Sequence, residues 1–154
     1  MGVFPANLVT AEALAALLSA PSKSRAVGQL SWTSKKPHIH EGKIEVRTDI
    51  ADCPVGYLRI YYVDPRPAEV GVQFIVNDAP VRRLDLNGSH KDWVHTTHKH
   101  RYLPATGRED AYIPNDIPAV PLLPTVAPGT HRAVFEAFAQ ECLVLLPEGY
   151  WVEP

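Results

Sequence analysis

From residue 43 to residue 86 the chain alternates, and that alternation constrains the fold more than any other feature. In residues 43–50, Ile44, Val46 and Thr48 fall on one side and Lys43, Glu45, Arg47 and Asp49 on the other, the pattern of a strand buried on one face. Residues 57–63 and 70–76 are β-branched and aromatic, and residues 81–86 alternate again. Between them stand Asp64-Pro65-Arg66-Pro67, which no central strand can contain, and a second turn, Asn77-Asp78-Ala79-Pro80. Runs at hairpin spacing predict a largely antiparallel meander, with residues 29–33 and 94–103 as further short strands and about five strands in all.

Two helices flank this region. Residues 10–18 carry Ala13, Leu14, Leu17 and Leu18 at helical spacing behind a capping Thr10, and Ala20-Pro21-Ser22 ends the run. Residues 130–143 place Val134, Phe135, Phe138, Cys142 and Leu143 in one apolar stripe, with Thr130 as the expected cap. The predicted class is therefore α+β, with both helices on one face of the sheet. A single domain is expected over 1–154: an N-terminal helix in 1–20, the sheet in 43–103, a Pro-rich loop in 104–129, a helix in 130–143 and a tail in 144–154.

Composition narrows the classes. A hydrophobic share of 45% with 21% charged residues excludes disorder as the main state. No apolar run approaches the roughly 18 residues of a membrane span, and the Ala-rich segment 11–20 lacks a basic region before it, so neither a membrane nor a signal peptide is expected. Two cysteines, Cys53 and Cys142, make no disulfide framework, so a reducing cytoplasm is expected. A net charge of −2 argues against coating nucleic acid by bulk charge.

The chemistry is expected in residues 82–112. His90, His95, His98 and His100 fall within eleven positions, and as a strand His98-Lys99-His100-Arg101-Tyr102 sets His98, His100 and Tyr102 on one face. Such a pair serves proton transfer near neutral pH or ligates a metal. For a metal, His38 and His40 would join His98 and His100, with Asp85 or Asp92 as the carboxylate; HExxH and paired cysteines are both missing from the sequence. Residues 81–101 carry five basic against two acidic side chains, a local +3 that leaves −5 on the remainder. That strip predicts a focused phosphate site of Arg83, Lys91, Lys99 and Arg101. Imidazoles beside such cations suit cofactor-free cleavage of RNA, with His98, His100, His90 and Tyr102 as the catalytic candidates.

Arg83-Leu84-Asp85-Leu86-Asn87-Gly88-Ser89-His90, then His98-Lys99-His100-Arg101-Tyr102, Gly107, Asp110-Ala111-Tyr112 and a closing helix near Glu141-Cys142, resembles a group of small His-rich bacterial proteins. The His-rich strand is similar to that of TumE-type toxins of toxin–antitoxin pairs. The resemblance implies this order of elements, a toxin or defence-type protein directed at RNA, and a cognate antitoxin or other protein partner. Two other expectations stand beside it. One is a non-catalytic phage or defence-system module that binds protein through the Pro-rich loop, with Trp32, Trp93 and Trp151 as anchors. The other is a His-ligated metal protein.

Overall fold

The computed structural model describes residues 10–89 and 93–154. Among them, seven strands form one antiparallel sheet in sequence order: β1 (Arg25–Thr33), β2 (Ile39–Arg47), β3 (Gly56–Val63), β4 (Val70–Val76), β5 (Ala79–Leu86), β6 (His98–Leu103) and β7 (Arg108–Tyr112). Helix α1 spans Ala11–Leu17 and α2 spans Thr130–Glu141. The class is α+β, as expected, but the meander has seven strands rather than about five.

Each discrepancy has a local cause. β1 starts at Arg25, before residue 29, and its first residues lack a readable alternation because the register shifts between Val27 and Ser31, where Gly28 takes φ 84°. β2 begins at Ile39, before the alternation becomes clean. β7 lies in the stretch read as loop; it is a short edge strand of mostly polar residues, which needs no alternating apolar face. β6 starts only at His98, later than residue 94. The β4–β5 turn tightens to Asn77-Asp78, both at positive φ (55° and 63°), as a two-residue hairpin turn of the twisted kind requires.

One face of the sheet makes the core. Ile44, Leu58, Phe74, Val72, Leu84 and Ile60 pair across the strands and are fully buried against Ala13 and Leu17 of α1 and Val134, Phe135 and Phe138 of α2. Thr10 caps α1 through the Ala13 amide (3.0 Å). Thr130 does not cap α2: Gly129, at φ 83°, is the cap, and the Thr130 hydroxyl donates to the Ala127 carbonyl. The tail straps the outer edge of β1, where the Ala26 amide donates to Leu145 O and the Leu30 amide to Tyr150 O. No helix among the described residues is long and apolar enough to cross a membrane.

Candidate metal centre

The opposite face of the sheet carries the site. Register sets His98 opposite Asp85 and His100 opposite Arg83, and Asp85 and Arg83 in turn stand opposite Gly71 and Gln73. Strand parity therefore puts Asp85, Arg83, His98 and His100 on one face, joined by Glu109 from β7, which stands opposite Tyr102. Residues 87–88 and Trp93 lie against them. Asn87 turns the chain at φ 53°, and its Nδ2 donates to Ala68 O and Val120 O, both at 2.9 Å. Gly88 then passes so close that a Cβ there would lie 2.8 Å from Asp85 Cβ and 3.4 Å from His98 Cε1. The Trp93 ring sits 5.0 Å from the His98 ring. His98 is 1% and His100 8% exposed.

The hydrogen bonds assign the tautomers. His98 Nδ1 lies 2.8 Å from Thr96 O, and a carbonyl only accepts, so Nδ1 bears the proton. Arg83 Nη2 lies 2.9 Å from His100 Nε2, and a guanidinium only donates, so that nitrogen presents its lone pair. His100 Nδ1–H then faces Glu109 Oε2 at 3.3 Å. Burial, seconded by the Arg83 guanidinium, holds the His100 imidazole below its ordinary pKa and hence neutral at neutral pH. Both Nε2 atoms face Asp85 Oδ2, 3.1 Å from His100 and 3.4 Å from His98. All three atoms lie within 4.8 Å of one another. Two donors bound about 2.1 Å from one ion stand roughly 3.0–3.4 Å apart, so the two Nε2–Oδ2 spacings are compatible with three ligands around one cation.

The other predicted site residues divide. Lys99 and Arg101 point to the opposite face and are committed. Lys99 is 1% exposed, with Nζ 2.9 and 2.7 Å from the Asp116 carboxylate oxygens and 3.1 Å from Glu141 Oε2. Arg101 forms a two-pronged pair with Asp110 at 3.0 and 2.9 Å and lies over the Tyr112 ring. The expected cationic strip is thus split between two faces and neutralised there. His40 also departs from the expected cluster: it lies on the helix face of β2, 2.7 Å from Asp64 Oδ1, four strands from β6 and so roughly 19 Å away. His38 is exposed in the turn before it. His90, Lys91 and Asp92 lie outside the described residues.

Glu109 is the member that the sequence reading missed. Its signal was the two-residue period of Glu109 and Ala111, hidden by reading 104–129 as loop. Comparison of the chain with family models, with curated proteins and with solved structures finds no match.

Proposed function

We propose that this chain is a small metal-dependent protein whose Asp85, His98 and His100 side chains hold one divalent cation. The observation that carries the reading is the convergence of three side chains from two paired strands: both Nδ1 atoms face acceptors and both Nε2 atoms face Asp85 Oδ2, with His100 Nε2 also accepting from Arg83. Metal-bound histidines ordinarily hand their second nitrogen to a carbonyl or carboxylate in this way. Two imidazoles and a carboxylate leave positions open for a substrate, and the ion supplies Lewis-acid polarisation to what binds there.

A second reading keeps the same side chains without the ion. The His98 and His100 rings are 4.9 Å apart with the Arg83 guanidinium against His100, so two imidazoles and a cation share one face. This arrangement favours an RNA-cleaving toxin or defence-type protein in which the imidazoles themselves move the protons.

One pair of experiments separates them. Zn2+ titrated against a chromophoric chelator should load the protein at one equivalent, and His98→Ala, His100→Ala and Asp85→Asn should each weaken binding by a hundredfold or more, beyond the roughly 10–100-fold effect of an outer-shell change. Total RNA is then incubated with purified protein, with and without EDTA. Cleavage that persists in EDTA, with no Zn2+ bound, moves the assignment to the second reading. Intact RNA and no bound metal sinks both and leaves a protein-binding module.

A further inference from the structure

Arg83 occupies the place a cation would take. Its Nε lies 3.2 Å from Asp85 Oδ2, its Nη2 2.9 Å from His100 Nε2 and its Nη1 3.3 Å from Glu109 Oε2. Two of those three partners are the atoms a metal would claim. A lone pair on His100 Nε2 cannot serve both a guanidinium and an ion, and the two positive charges repel at this range. Loading the site therefore frees Nε and Nη2, while Nη1 stays anchored on Glu109.

Resting on the metal reading, we infer that the loaded centre binds a phosphate ester, its anionic oxygens held between the ion and the freed edge of Arg83. Nε and Nη2 form one side of the guanidinium, two parallel N–H groups whose spacing fits two oxygens of a phosphate. The charge fits as well. Metal coordination requires both imidazoles in the neutral form, so Arg83, Asp85 and Glu109 sum to −1, and a divalent ion turns that into +1, which a phosphodiester monoanion neutralises.

There is room beside the site. A cavity of about 260 Å3 opens next to Asp85, lined among others by Tyr61, Arg66, Gly71 and Gly88. Gly71 stands opposite Asp85, and a Cβ built there would meet only Asp85 Oδ1, at 4.0 Å, so the missing side chain leaves this approach open. Arg66 stands at the rim paired with Glu69 at 3.7 Å, which also lines the cavity, so the rim adds no net charge and the anion is held by the centre itself.

The test uses Zn2+ and dimethyl phosphate as probes on the full chain. Arg83→Gln should bind Zn2+ at least as tightly as the parent, because a competing cation is gone. The same variant should lose about 10–100-fold in affinity for dimethyl phosphate when Zn-loaded, the weight of a charge-assisted pair. Arg83→Lys, which keeps the charge without the fork, should fall between, and a thermal midpoint on each variant checks that it folds. Equal dimethyl phosphate affinity in the parent and Arg83→Gln, both loaded, overturns the inference and leaves the metal reading intact. Failure of the parent to take up Zn2+ overturns both.

Discussion

At the scale of single residues, Asn87 and Gly88 connect sequence to site most directly. Each of the two has a duty set by a distant part of the chain. Asn87 is buried, sits in the left-handed region and joins the segments of Ala68 and Val120 through one amide group. Asn87→Ala removes both donors and puts an alanine at positive φ, so it should cost about 2–4 kcal/mol in urea unfolding. Asn87→Gly removes the same hydrogen bonds without the left-handed penalty and should cost about 1 kcal/mol less. Equal losses would mean the backbone conformation is not what the residue supplies. The carriers of the site were legible one by one: His98, His100, Arg83 and Asp85 stand out as residue types. Their hydrogen-bond partners were not: Arg83 and Glu109 reach His100 only when the strands pair, and the contact of His98 with Thr96 O depends on how the backbone bends before β6.

At the scale of elements, strand parity did most of the predictive work and also exposed the main error. Alternation placed His98 and His100 on one face of β6 and Lys99 and Arg101 on the other, and the structure keeps that division. Summing the charges of residues 81–101 ignored it. Lys99 faces inward because its partners come from two distant elements: Asp116 from the Pro-rich segment and Glu141 from the end of α2, where Tyr112 also donates to Glu141 at 2.8 Å. No local pattern announces such a junction. Lys99→Met leaves two carboxylates facing each other without their cation. Removing one partner of a fully buried pair costs about 3–5 kcal/mol, and here the partial exposure of Asp116 (40%) and Glu141 (29%) lowers the expectation to about 2–3 kcal/mol. Adding Glu141→Gln to Lys99→Met should recover part of the loss by removing a stranded charge. Purely additive losses in the double variant would argue that Lys99 contributes packing rather than charge.

At the scale of the molecule, the site and the core share the same sheet but face away from each other. Phe74, Leu84 and the helices bury one side, while Asp85, His98 and His100 hold three points of β5 and β6 on the other. Nothing in the core needs the imidazoles, so the fold should form without an ion and be stabilised further by one. An ion that binds the native state alone adds RT ln(1 + [L]/Kd), about 2.7 kcal/mol at a hundredfold excess over Kd. For a chain of this length 1 kcal/mol raises the midpoint by about 2–4 °C, so saturating Zn2+ should raise Tm by roughly 5–11 °C. Any affinity of the unfolded chain's histidines and cysteines for Zn2+ trims that figure. His98→Ala and His100→Ala should fold yet show no such rise, and EDTA should return the parent to its metal-free midpoint. His40→Ala serves as the control: it removes an imidazole of the same kind from the other face and should leave the Zn2+-dependent rise in place. A rise that survives in His98→Ala and disappears in His40→Ala would move the metal to the helix face and overturn the assignment of the centre.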